Sequence, residues 1–176
     1  MGCYFWGEAR GPTVKRQSFW MSNEEYLLVT KKTPIPTVNL VILRKNTVNW
    51  EVLLLIRKTG YAKGQWCIIG GRVHIGESLK NAIDRQAEDL KVKVKVIPPF
   101  NSTFPSFIDD QKNQDKTKSP LSFAYPVEIV SGEIREEGEE YKGYKWFSIS
   151  KIPKISYGQK LQIQTTIKQL KKLGRF

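Results

Sequence analysis

The chain is poor in the residues that build redox centres and metal cages. Its 176 residues include a single histidine and two cysteines, Cys3 and Cys67, too few and too scattered for a closed set of zinc ligands. Two cysteines also argue against a disulfide scaffold and make a reducing cytoplasm the simpler setting. Cys67 sits in an apolar strand and reads as core rather than as a reactive thiol. No apolar run approaches a membrane span, so no membrane partner is expected, and the N-terminus lacks the continuous apolar segment of a secretory signal. Met1-Gly2-Cys3 invites a lipidation reading, but Trp6 stands where a myristoylation site needs Ser or Thr. Acidic residues are the scarcer sign, 17 against 29 Lys and Arg, giving a net charge of +12. A basic surface gathers nucleotides and diphosphates, and it equally attracts RNA, DNA or an acidic protein. Neither an aromatic-basic RNA-binding signature nor a helix-turn-helix pattern accompanies the charge, so nucleic-acid binding is the minor reading. Much of the excess, in Lys91-Val92-Lys93-Val94-Lys95 and near the C-terminus, reads as solvated lysine.

What the chain does have is length for one substantial core, hence one domain, and one informative stretch. Gly71 is followed after five residues by Glu77, after seven more by Arg85, and then by Asp89. Leu79, Ala82, Ile83, Ala87 and Leu90 recur at three- and four-residue intervals, while Lys80, Asn81, Asp84, Arg85, Glu88 and Asp89 take the other side. That spacing predicts an amphipathic helix over about 78–91. It is entered from a loop holding Gly70, Gly71 and Gly76, a turn lined by carbonyls and carboxylates that suits Mg²⁺ or Mn²⁺ on a diphosphate. The alternative is an ordinary helix with a solvated acidic face. Upstream, Trp50 to Arg57 is an apolar run of strand length, and Gly64-Gln65-Trp66-Cys67-Ile68-Ile69 leads into the glycines. Gln111 to Ser119 is polar enough to be an exposed loop. Gln159 to Leu173 places Leu161, Ile163, Ile167 and Leu170 on or near one face, with lysines in the last turn, as a C-terminal helix covering the sheet would.

Glycine, glutamate and arginine at these intervals resemble the Nudix box, G-x5-E-x7-R-E-x-x-E-E-x-G, and the preceding segment resembles its G-x-W-x-x-P-G-G approach strand, with Ile69 at the usual proline. Within that superfamily, Thr33-Pro34, Gly60-Tyr61, Gly70-Gly71-Arg72-Val73, Glu77-Ser78-Leu79 and Tyr144-Lys145-Trp146-Phe147 are similar to the GDP-mannose mannosyl hydrolases over roughly residues 21–150. The resemblance implies an α/β fold, a Nudix α/β/α sandwich on a central mixed sheet, occupying residues 21–176. Residues 1–20 then read as an N-terminal extension: an upstream segment, a disordered tail or a small partner-binding arm. It also implies metal-assisted cleavage at the anomeric carbon of a nucleotide sugar, with a nucleotide or nucleotide-sugar ligand and a homodimer as the assembly to test.

Carried over residue by residue, the family places Arg57 and Arg72 on the departing diphosphate, where guanidinium can bind bidentately. Its metal is held by the carbonyl at Gly70, by a glutamate where this chain has Leu90, and by a later side chain near Glu140. Glu77 organises the loop or joins the metal set. Gln86 and Asp89 occupy glutamate positions of the wider box, and Asp89 is equally an i,i+4 partner of Arg85. Tyr141 stands where the family has a histidine general base, although a tyrosine is a poor base near neutral pH. His74 is a candidate base or substrate contact, and otherwise a solvent-exposed loop histidine. Asp109 and Asp110 fall where the family binds sugar. An active hydrolase and a binding module that has lost the chemistry both remain open.

Overall fold

The computed structural model describes residues 22–60, 62–98, 120–155 and 159–176. In chain order the elements are α1 (Asn23–Lys32), β1 (Ile35–Lys45), β2 (Trp50–Arg57), β3 (Trp66–Cys67), β4 (Ile69–Arg72), α2 (Leu79–Asp89), β5 (Val92–Val96), β6 (Pro120–Gly132), β7 (Tyr141–Ser148) and α3 (Gln159–Lys172). The segment 1–20 and the loop 111–119, together with Asp109 and Asp110, lie outside the described residues.

The strands make a seven-stranded mixed sheet in the order β3-β2-β1-β6-β5, with β4 paired to β1 and β7 to β2. Only β1 with β6 is parallel among the named pairs. The β1–β2 hairpin is set by Asn46, whose side-chain oxygen accepts from the amides of Val48 and Asn49 at 2.9 and 2.6 Å. In β1, Val38 to Leu43 is buried without interruption, the pattern of a strand covered on both faces.

Strand alternation sorts that run into two cores. Val38, Leu40 and Ile42 join Leu53, Leu55 and the α2 residues Ala82, Ile83 and Ala87. Val41 and Leu43 join Val52, Leu54 and the α3 residues Ile163, Ile167 and Leu170. This is the α/β sandwich expected from the box helix and the terminal helix. Each buried aliphatic side chain of α3 contributes about 1.5–3 kcal/mol of hydrophobic stabilisation.

One expectation about α3 is corrected. Leu161 is 42% exposed. The buried stripe runs through Gln159, Gln162, Ile163, Thr166, Ile167 and Leu170, and Leu161 lies off that three-four spacing. Two of its polar members dock the helix on the sheet. Gln162 Oε1 accepts from Asn39 Nδ2 at 2.8 Å, and Gln159 Oε1 accepts from the Ile68 amide at 2.9 Å, where the chain steps from β3 to β4. A buried amide left unpaired there would cost about 1–3 kcal/mol.

Helix α1 precedes the sheet and contributes to neither core cluster. Its start is fixed by a capping box: Ser22 Oγ accepts from the Glu25 amide, and the Glu25 carboxylate accepts from the Ser22 amide.

Candidate active site

The site is built on the turn between β4 and α2. Gly70 pairs with Asn39 of β1, and a Cβ there would collide with the Asn39 side-chain oxygen and the Val38 carbonyl oxygen. Sheet packing alone therefore requires glycine at 70. The ladder runs on past Arg72, since the Val73 amide donates to Pro36 O at 2.9 Å. The chain then turns through Gly76, whose φ of +74° disfavours any side chain.

Glu77 closes the turn. Its amide donates to His74 O at 3.0 Å, and its Oε2 accepts from the His74 amide at 2.9 Å. From α2, Arg85 donates Nε to Oε1 at 2.8 Å and Nη2 to Oε2 at 2.9 Å, a bidentate pair. The same Nη2 also reaches Arg72 O at 2.9 Å. One guanidinium thus ties the end of β4, the loop and the helix together. Hydrogen bonds from Arg85 hold the Glu77 carboxyl below the ordinary carboxylate range, against the opposing effect of burial. Both Glu77 oxygens accept from these donors, an arrangement that holds the loop to the helix.

His74 lies half-buried beside this pair. Burial first, then the charges of Arg85 and Arg72, push its pKa down against the pull of Glu77. The shift favours the neutral imidazole, the form that accepts a proton.

Further candidate residues lie at the ends of β2 and β7. Arg57 donates Nε to Thr59 O at 3.0 Å and lies with Nη2 3.8 Å from Glu140 Oε2. The Glu140 carbonyl takes the Lys58 amide at 2.7 Å, which seats the start of β7 against the end of β2. Asp89, at the end of α2, has its carboxyl pushed up by burial and by the charges of Glu140, Glu139 and Glu88, while Arg85 pulls it down. Charge and contact thus link Arg72, Glu77, Arg85, Asp89, Glu140 and Arg57 in one continuous series.

Two box positions and Tyr141 have other occupations. Leu90 is fully buried in the core and caps α2. Gln86 is buried, with its side-chain amide nitrogen 2.5 Å from where a Cβ on Gly71 would sit. Tyr141 is buried, and its hydroxyl lies 3.2 Å from Asp89 O and 3.1 Å from Arg135 O, a proton donor facing carbonyls. Burial raises its pKa, the reverse of what a general base needs. The Cys67 thiol is also buried and pushed up to about 11, so it is inert core.

Among the described residues, no group of three or more His, Cys, Asp or Glu side chains is gathered to hold a metal ion. The donors fit a divalent ion only in part. Asp89 and Glu140 are carboxylates whose mutual repulsion a cation would relieve, and oxygen donors suit Mg²⁺ or Mn²⁺. Such a set suits an ion that arrives coordinated by a diphosphate, not a preformed cage. A cavity of about 300 Å³ lined by Leu43, Arg44, Lys45, Glu128, Ile129 and Trp146 lies at the far end of β1 and takes no part in this chemistry.

Residues missed from sequence are those that position the turn. Asn39, Gln159 and Gln162 fix β4 and its approach from the α3 side. The available signal was glutamine recurring on the apolar stripe of α3. Tyr26 of α1 is the second omission, its ring lying 4.9 Å from the Arg72 guanidinium carbon.

No described helix is long and apolar enough to cross a membrane. The chain is 24% identical over 107 residues to an ADP-ribose pyrophosphatase of Methanocaldococcus jannaschii, covering 61% of this chain and 60% of that protein. It is 28% identical over 151 residues to an NAD-capped RNA hydrolase of Mannheimia succiniciproducens, covering 81% of this chain and 51% of the relative. The chain therefore spans about half to three-fifths of these relatives' lengths. In structure it is similar to a UDP-X diphosphatase, with TM-score 0.60, 19% identity and coverage of 85% and 72% of the two chains. It is likewise similar to the NUDIX domain of Shewanella oneidensis NrtR complexed with ADP ribose, with TM-score 0.61, 18% identity and coverage of 85% and 99%. These similarities agree on the fold. The family model of the NUDIX domain matches residues 33–166, a span that contains the whole sheet, the glycine turn and the Glu77–Arg85 clamp, and the chain belongs to that family.

Proposed function

We propose that this domain is a metal-assisted hydrolase of nucleoside diphosphate derivatives, with a nucleotide sugar of the GDP-mannose type as the favoured substrate. The observation that carries the reading is the clamp in which Arg85 holds Glu77 and the Arg72 carbonyl, because it rigidifies the turn that bears Arg72 and His74. The names of the two relatives, an ADP-ribose pyrophosphatase and an NAD-capped RNA hydrolase, point to the same substrate class.

In this mechanism Arg57 and Arg72 bind the diphosphate and stabilise the charge it gains as it departs. Neutral His74 takes a proton from the attacking water. The bond between the anomeric carbon and the diphosphate oxygen breaks, releasing nucleoside diphosphate and free sugar. Gly70 O, Asp89 and Glu140 would hold Mg²⁺ or Mn²⁺ together with the diphosphate, and the ion would supply neutralising charge to the leaving group. Gln86 lies behind the turn, and Asp109 and Asp110 are proposed sugar contacts. Two cysteines without a disulfide framework favour a reducing cytoplasm as the setting, and a homodimer is the assembly to test.

A second reading, a nucleotide-binding module without chemistry, is favoured by the occupations of Leu90 and Tyr141. Incubation with GDP-mannose, UDP-glucose, ADP-ribose and NAD in the presence of Mg²⁺, with products resolved by anion-exchange chromatography, separates the two. Release of nucleotide product supports the hydrolase. Tight binding by calorimetry with no product over a day supports the module.

A further inference from the structure

We propose that Tyr26 of α1 is a positioning residue that holds the Arg72 guanidinium toward the diphosphate, which makes α1 part of the site. The inference rests on the reading that Arg72 contacts phosphate. Helix α1 lies outside the family-matched segment, which begins at residue 33. It belongs to neither core cluster, yet it is well capped at Ser22 and leads within two residues into β1. The connection delivers it to one place. Thr37 of β1 pairs with Arg72, and Pro36 O takes the amide of Val73. The Tyr26 ring lies 4.9 Å from the Arg72 guanidinium carbon, within range of a cation–π contact.

The chemistry gives this contact a purpose. Arginine loses much rotamer freedom when it is ordered. A ring held against the guanidinium removes part of that freedom in advance. The backbone of Arg72 is already fixed through its carbonyl by Arg85. Tyr26 extends that fixation to the side chain. The hydroxyl has no part in the scheme, so phenylalanine serves equally well.

The test is calorimetric titration of inorganic pyrophosphate in the presence of Mg²⁺ into the full chain. The variants are Tyr26→Phe, Tyr26→Leu, Arg72→Ala and the Tyr26→Leu/Arg72→Ala pair. Tyr26→Phe should match the wild type within about twofold. Tyr26→Leu should weaken binding about fivefold, the equivalent of about 1 kcal/mol. Arg72→Ala should weaken it further, and adding Tyr26→Leu to Arg72→Ala should weaken it no more. A purely structural role for Tyr26 would give the same loss in both backgrounds and overturns the proposal, as does full affinity in Tyr26→Leu. If Arg72→Ala itself binds pyrophosphate as the wild type does, the phosphate role of Arg72 fails first and the proposal falls with it.

Discussion

Replacing Glu77 with glutamine isolates the clamp on which the turn depends. The carboxylate accepts two hydrogen bonds from Arg85 and one from the His74 amide, and its side chain is only 12% exposed against 32% for Arg85. Glutamine keeps the shape and one acceptor but removes the charge and turns an N–H₂ toward Arg85. Breaking a buried ion pair costs about 3–5 kcal/mol, and the partial exposure of Arg85 lowers that to about 2 kcal/mol. At about 2–4 °C per kcal/mol for a chain of this size, Tm should fall by about 4–8 °C. The folded-state pKa of Glu77 is depressed by Arg85. Its stabilisation is therefore fully present above the unfolded carboxylate value and is lost as pH falls through the lower folded value. Calorimetric scans should accordingly show a constant gap between wild type and Glu77→Gln from pH 7 to pH 6, closing in the acid range below the ordinary carboxylate pKa. A shift under about 1 °C at pH 7, or a gap that persists at strongly acid pH, would refute the reasoning.

Other perturbations read other parts of the site. Arg57→Ala should lower turnover by about 10²–10³ while weakening ground-state binding far less, because charge builds on the diphosphate as it leaves; steady-state kinetics beside calorimetry measures both. Mg²⁺ titrated into the empty protein should bind weakly, with uptake appearing when a diphosphate is present, and tight stoichiometric binding to the empty protein would contradict the ligand assignment. Asp89→Asn should raise Tm at pH 7 but not at strongly acid pH. The Asp89 pKa is raised on folding, so its contribution is favourable below the unfolded value and is lost as pH rises through the folded one. Leu90→Glu should lower Tm, because Leu90 is fully buried, and Mg²⁺ with pyrophosphate should restore part of the loss if the side chain reaches the ion.

The helix over the turn was legible because its information is local. Leu79, Ala82, Ile83 and Ala87 announce a face, Ser78 caps it, and the glycines before it answer to φ and to space. The two-sided sheet was legible for a similar reason, since the Trp50–Arg57 run is too apolar to have a solvated face. What could not be read depends on partners distant in sequence. Gln162 looks like a solvated helix residue until Asn39 is placed opposite it, 123 positions away, and Leu161 looks like core until the stripe is aligned on those glutamines. Tyr141 aligns with a base position, yet its hydroxyl is spent on carbonyls contributed by the end of α2 and the segment after β6. Helix α1 escaped notice because its apolar residues form no buried face, Leu27 and Leu28 being 49% and 60% exposed.

Hydrolysis of GDP-mannose in oxygen-18-labelled water, with Mg²⁺ present and products analysed by mass spectrometry, tests the central claim most directly. Attack at the anomeric carbon, with Arg57 and Arg72 on the departing diphosphate, predicts label in the free sugar and unlabelled GDP. Label in a phosphate product would place the attack at phosphorus, and the absence of any product from this substrate and from the rest of the panel would contradict a hydrolytic role for the site.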